Sequence, residues 1–211
     1  MLNRILKLCF FGLIAKPLTY LVLGLNIRNK PGLPNKGAAV ILANHNSHLD
    51  TLVLMSLFPL RQIHRVRPVA AADYFLKNRY LAWFALNVIG IIPLARSGMH
   101  RDLFNQCHQA LSDEQILIIY PEGSRGKAEQ LGKLKTGTFH LLKDRPEIPV
   151  IPIMLHGLGM ALPKGTALLL PYNCDVVIGS EIPLGDDRSD FIQQVGQQFE
   201  YLAAHCLTRH D

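Results

Sequence analysis

Apolar residues come along this chain in short blocks separated by turn-forming and charged residues. Ala38-Ala39-Val40-Ile41-Leu42-Ala43, Ile116 to Ile119 and Ile148 to Leu155 are apolar runs of strand length, as expected for strands buried on both faces. The last carries Pro149 and Pro152, which predicts a ladder irregular on one side. Shorter stretches at 68–72, 90–96 and 175–178 read as further strands. Between them the apolar positions recur at helical spacing: over 51–57, over 74–86 behind a capping Asp73, over 101–111, over 132–142 and over 189–206. The last of these sets Phe191, Val195, Phe199 and Leu202 on one face. Strands alternating with helices, without repeats or a low-complexity linker, predict one α/β layer structure.

Residues 1–27 are the most apolar stretch, and three readings compete for it. A secretory signal would need small residues at a cleavage site, but Leu13 stands two before Ala15 and no A-x-A pattern follows. A spanning helix approaches the required length of about 20 residues, and its apolar side chains could offset a central Lys16. Pro17 argues for a break instead, because it lacks an N–H and crowds the preceding turn. Helices over 2–15 and 18–26 would measure roughly 21 and 14 Å at 1.5 Å per residue, short of the ~30 Å hydrocarbon core. Residues 1–28 are therefore expected to form a membrane-associating helical hairpin in one leaflet, on the cytoplasmic face, with Arg4, Lys7 and Lys16 at the headgroups. A hairpin that simply caps the core is the alternative. Residues 29–211 form the α/β domain.

Charge narrows the partners. A formal charge of +6 and a pI near 9.3 favour a phosphate-bearing substrate, an anionic membrane or nucleic acid. Only 18% of residues are charged and the mean hydropathy is positive, at +0.17, which points to lipid and away from nucleic acid. The four cysteines, Cys9, Cys107, Cys174 and Cys206, form no C-x-x-C pair and read as reduced thiols.

The first candidate for chemistry is Asn44-His45-Asn46-Ser47-His48-Leu49-Asp50, directly after the 38–43 strand. His45 and Asp50 can pair if the histidine lies in the loop and the aspartate in the first turn of the next helix, a boundary that Ser47 supports as a cap. A carboxylate on one ring nitrogen fixes the tautomer, and the other nitrogen can then deprotonate a hydroxyl. His48 is a rival base, and spacing does not separate the two; Asp50 as a helix cap beside a core histidine is the plainer reading. The second candidate is Glu122-Gly123-Ser124-Arg125 with Arg96, arginine forks and a permissive glycine suited to a phosphate and polyol site. A Glu–Arg ion pair in a surface turn is its alternative. Ser124 lacks the G-x-S-x-G frame, Gly126 and Gly132-Lys133 miss P-loop spacing, and Gly157-Leu158-Gly159 lacks the third glycine of a dinucleotide fingerprint. His45, His48 and Asp50 could touch a metal but lack further ligands at paired spacing, so no metal is expected.

Taken in order, Asn44-His45-x4-Asp50, Gly90-x5-Arg96, Pro121-Glu122-Gly123-Ser124-Arg125 and the apolar Val150 to Ile153 resemble the four blocks of the glycerolipid acyltransferases, the 1-acylglycerol-3-phosphate acyltransferase group. The resemblance implies a single domain with a mixed, mainly parallel sheet flanked by helices and an N-terminal helical pair. It makes His45 the general base and Asp50 its partner, in transfer of a fatty acyl group from acyl-CoA or acyl-carrier protein to the hydroxyl of a lysophospholipid. It gives Arg96, Glu122 and Arg125 to the acceptor's phosphate, with Lys135 as a weaker phosphate candidate and Gly123 and Ser124 of the same loop as further substrate-binding candidates. No cofactor beyond the acyl donor is implied. Ser124 and Gly126 stand where threonine and serine are commoner, and Leu94-Ala95 where an aromatic and an acid are. These departures bear on the acceptor headgroup, for which lysophosphatidic acid is the first expectation and an ornithine-type lysolipid another; a non-catalytic lipid- or anion-binding membrane protein using the basic surface and apolar N-terminus is the alternative of another class.

Overall fold

The structure, a computed structural model, describes residues 2–95, 103–163 and 169–209. Its sheet contains β1 (Gly24–Arg28), β2 (Ala39–Ala43), β3 (Val66–Ala71), β4 (Ile92–Leu94), β5 (Ile116–Ile119), β6 (Val150–His156) and β7 (Asn173–Ile178), in the order β1-β7-β6-β2-β5-β3-β4. Neighbours are parallel except β6 and β7, which run antiparallel. The sheet is thus mixed and mainly parallel.

Strand β2 shows why the apolar run is unbroken. Successive side chains of a strand point to opposite faces, and here both faces are covered. Ala39, Ile41 and Ala43 join one core layer with Phe11, Val53 and Leu54, while Val40 and Leu42 join the other with Leu141, Phe191 and Val195. The helices are α1 (Leu2–Val22), α2 (Leu49–Ser56), α3 (Ala72–Phe75), α4 (Arg79–Phe84), α5 (Asn105–Ser112), α6 (Gly137–Leu142), α7 (Leu158–Ala161) and α8 (Arg188–Ala203). Both prolines of the 148–155 run are accommodated: β6 pairs with β2 from Val150 to Ile153, but its ladder with β7 begins only at Ile153, beyond Pro152.

The N-terminal expectation needs correction. Helix α1 is one continuous run of 21 residues, not a hairpin. It opens as α-helix over Leu2–Phe10 and widens to π-helical geometry at Phe11–Ala15 and Leu18–Val22. Pro17 falls between the two wide turns, where Lys16 N–H already reaches Phe11 O, so its missing donor and its ring fit without a break. At 1.5 Å per residue the helix measures about 31 Å, and it lies lengthwise on the domain. Lys7, Phe11, Ala15 and Thr19, four apart, form its buried stripe, and Leu23, just past its end, is buried as well. Lys7 and Lys16 therefore do not reach outward. Lys7, 4% exposed, donates to Val66 O at 2.7 Å. Lys16 caps the end of α2 through Ser56 O at 2.8 Å and Phe58 O at 2.7 Å. Gly24–Arg28, expected as the tail of the N-terminal segment, is an edge strand of the sheet, paired with β7.

The 74–86 helix is divided: Asn78 caps α4, its side-chain oxygen accepting from Tyr80 N–H at 2.9 Å and Leu81 N–H at 3.3 Å. The helix expected from 132 starts at Gly137, because Gly132 N–H and Lys135 N–H are held by Glu122 and by Pro121 O.

Candidate active site

The C-terminal ends of parallel strands gather functional loops at one edge of an α/β sheet. Strands β2 and β5 are neighbours with Leu42 level with Ile119, so the loops that begin at Asn44 and Tyr120 emerge side by side. Asn44 continues the ladder with its side chain, donating to Leu155 O at 2.8 Å and accepting from Leu155 N–H at 2.7 Å. The chain then leaves the sheet at His45 and enters α2 at Leu49.

Asp50 lies in the first turn of α2, fully buried, and one of its oxygens organises the loop. Oδ2 accepts from Asn46 N–H at 2.7 Å and Ser47 N–H at 2.9 Å, and stands 2.9 Å from His45 Nδ1. Ser47 Oγ accepts from Leu49 N–H at 3.3 Å, but the N-cap position of α2 is His48, which makes no side-chain cap bond, so the cap expected at Ser47 stands one residue before the helix boundary. Because Oδ2 acts as an acceptor throughout this turn, a neutral His45 imidazole that pairs with it donates from Nδ1 and keeps its lone pair on Nε2. Against the other face of the ring lies Tyr120, stacked at 4.0 Å between centroids and 18° between planes. The Tyr120 hydroxyl pairs with Thr51 Oγ1 at 2.8 Å, and burial, reinforced by the Asp50 charge, pushes its phenol well above the ordinary range. That ring is neutral, and it fixes the tilt of the imidazole.

The loop after β5 holds His45 by its backbone. Glu122 turns inward: Oε1 accepts from His45 N–H at 2.8 Å and Oε2 from Gly132 N–H at 2.8 Å. Gly126 N–H returns to His45 O at 2.9 Å. Both backbone groups of His45 are thus engaged by residues 122–126. Burial raises the Glu122 pKa, with the two N–H bonds opposing the shift. Gly123 adopts φ +73°, and a side chain there would run into the Lys135 ammonium, so the glycine admits the lysine to the loop. Ser124 is exposed at the tip. The Arg125 guanidinium lies over Tyr74 at 5.8 Å, and Tyr74 neighbours His48 at 6.4 Å. Loss of water around the His48 ring, then the nearby Arg125 and His45, lower the His48 pKa.

The seven described candidates fall into two groups. His45, Asp50 and Glu122 form one bonded unit, and Gly123, Ser124, Arg125 and Lys135 form the basic loop above it. Arg96 lies outside the described residues. Beside Asn46, a cleft of about 460 Å³ runs between Arg125 and Lys127 on one side and Gly159 and Pro163 on the other. In the amide orientation that its surroundings require, Asn46 donates to Lys127 O at 3.3 Å and accepts from Glu129 N–H at 3.2 Å, tying this cleft to the His45 turn. Among the described residues no three His, Cys, Asp or Glu side chains gather as a metal site. Tyr120, Thr51 and Tyr74 are additions to the candidates; the only sequence signal was an aromatic residue closing the strand beside the histidine's own.

A family model described as Acyltransferase matches residues 24–156, from the edge strand β1 to the end of β6, and so takes in both loops. The chain belongs to the acyltransferase family. Among relatives, the chloroplastic 1-acyl-sn-glycerol-3-phosphate acyltransferase LPAT1 of Arabidopsis thaliana is 29% identical over 172 residues, covering 80% of this chain and 46% of its own. The 1-acyl-sn-glycerol-3-phosphate acyltransferase of Pseudomonas aeruginosa is 29% identical over 189 residues, covering 87% and 69%. The chain spans about half the length of the chloroplastic relatives it matches. The acyltransferase fold is likewise that of a solved structure, the 1-acyl-sn-glycerophosphate acyltransferase PlsC of Thermotoga maritima, with a TM-score of 0.77 at 15% identity over 98% of this chain and 82% of that one.

Proposed function

We propose that this acyltransferase moves a fatty acyl group from the thioester of acyl-CoA or acyl-carrier protein to the free hydroxyl of 1-acylglycerol-3-phosphate, giving phosphatidic acid. The observation that carries the proposal is the His45–Asp50 contact of 2.9 Å, which leaves Nε2 as the free base beside a loop bearing Arg125 and Lys135. His45 Nε2 takes the hydroxyl proton as the oxygen attacks the thioester carbonyl. The tetrahedral intermediate expels the thiolate, and the imidazolium returns the proton to it as free thiol. Asp50 holds the Nδ1 proton and stabilises the imidazolium. A thioester is already an activated donor, so a base and an anion-binding loop suffice, without metal or prosthetic group. Arg125 and Lys135 supply charge for the acceptor phosphate, and Arg96 is proposed to join them on the family resemblance alone. Glu122 serves by holding His45.

Membrane association follows the same reading. The outer side of α1 exposes Leu2, Ile5, Leu13, Ile14 and Leu21 while its inner stripe packs on the domain, an arrangement suited to lying in the cytoplasmic leaflet. The test is thiol release from acyl-CoA and from acyl-carrier protein, with and without lysophosphatidic acid and with an ornithine-type lysolipid in the panel. Wild-type chain is expected to release thiol only with an acceptor, and His45→Ala to lose at least about 10²-fold in rate while keeping its circular dichroism. Undiminished turnover in that variant would remove His45 as the base.

A further inference from the structure

The segment α3–α4 and the π-helical turn that follows, Ala85–Ile89, show one buried and one bare side. Ala85, Val88 and Ile89 face the core, and Phe84 packs edge-on against Phe10 of α1, with centroids 5.1 Å apart. On the open side Tyr80 is 72% exposed and Trp83 54%, with Leu86 and Leu81 also exposed. Tyr80, Trp83 and Leu86 are three apart, the spacing of one helix face. Lys77 and Arg79 flank this face, and the Arg79 guanidinium lies over the Tyr80 ring at 4.8 Å. Asp73 is the single acidic residue of 72–89.

We propose that this face is a second bilayer-contact surface, docking on an anionic lipid leaflet beside α1 and next to the mouth of the active site. Three observations carry it. A cluster of exposed aromatic and aliphatic residues is uncommon on a surface bathed only by water, and tyrosine and tryptophan favour the headgroup level of a membrane. The flanking Lys77 and Arg79 match an anionic leaflet. Finally, the face is continuous at both ends with parts already described: Phe84 joins it to the outward-apolar α1, and Tyr74 joins it to His48 and Arg125. An acceptor leaving the leaflet beside Tyr74 meets the basic loop first. The inference rests on the membrane reading above and extends it from the N-terminal helix to the rim of the site.

Trp83 is the only tryptophan in the chain, so its fluorescence reports on this face alone. The full chain is mixed with phosphatidylcholine–phosphatidylglycerol vesicles, recovered by flotation and excited at the indole. The expected result is a blue-shifted emission that loses most of its intensity when the vesicles carry brominated acyl chains and is shielded from acrylamide. Emission that stays red, open to acrylamide and untouched by bromolipid on floated vesicles would overturn the proposal. Emission shielded from both quenchers, as when a second copy covers the face, would overturn it equally. None of these readings depends on turnover, so an inactive chain whose Trp83 sits in lipid would count against the enzymatic reading and leave this one standing.

Discussion

Asp50 Oδ2 takes two backbone donors and the imidazole, so its replacement acts on shape and chemistry together. Asp50→Asn keeps an oxygen for the turn but puts an N–H₂ in a buried site and no longer fixes the His45 tautomer. Turnover is expected to fall by about 10²-fold or more, with a stability loss of about 1–3 kcal/mol, read from thiol release and from urea unfolding. Glu122→Gln separates differently: its amide N–H₂ must face either His45 N–H or Gly132 N–H. A loss of about 1–3 kcal/mol is expected, together with slower turnover, since His45 loses its backbone tether. Unchanged kcat in Glu122→Gln would show that the tether is dispensable. The pairing of His45 with Asp50 could be foreseen, because a loop histidine and a first-turn acid five residues on share one sharp turn. The inward turn of Glu122 and the stacking of Tyr120 could not, because both depend on Leu42 standing level with Ile119, a cross-strand register that neither segment encodes alone.

Among the elements, the helix carrying Lys7 makes the clearest pH prediction. Burial, with Arg67 adding to it, brings the Lys7 pKa from 10.5 down to about 7. Between those values the unfolded chain binds a proton that the folded one has released, so stability rises with pH above about 7 and is flat below it. From pH 7 to pH 9 the gain from this group is about 2 kcal/mol. Lys7→Met is expected to flatten that slope in denaturant titrations, and an unchanged slope would rule Lys7 out as its source. Buried strands β2, β5 and β6 were legible as apolar runs since both of their faces are covered. Continuity of α1 was not, because the break expected at Pro17 assumes α-helical hydrogen bonding, and wide turns remove the conflict. Strand β1 was hidden for another reason: Gly24 to Arg28 reads as the tail of an apolar helix until β7 is available to pair with it.

For the whole molecule, α1 belongs to the fold and to the surface at once, and single changes can part the two roles. Leu13→Asp or Leu21→Asp, at positions 76% and 84% exposed, should weaken vesicle flotation with little change in thermal midpoint. Phe11→Ala, on the buried stripe, should cost about 3–5 kcal/mol of stability. Equal destabilisation by all three would contradict the division of faces. The α/β class was legible because apolar strand-length runs alternate with helical periodicity, and the family because four short motifs follow in order along the chain; the placement of α1 was not, since it depends on surfaces far along the chain. The pairing of β1 with β7 also has a consequence for synthesis. Gly24 pairs with Asn173, and at ~5–20 residues per second a ribosome needs about 7–30 s to make the residues between them. For most of that interval, once the chain has grown past the exit tunnel, α1 is outside the ribosome while β7 is still unmade, and a nearby membrane is the apolar surface already to hand. On the membrane reading proposed above, the domain is assembled onto a helix that lipid holds first, and delivery to the membrane precedes folding.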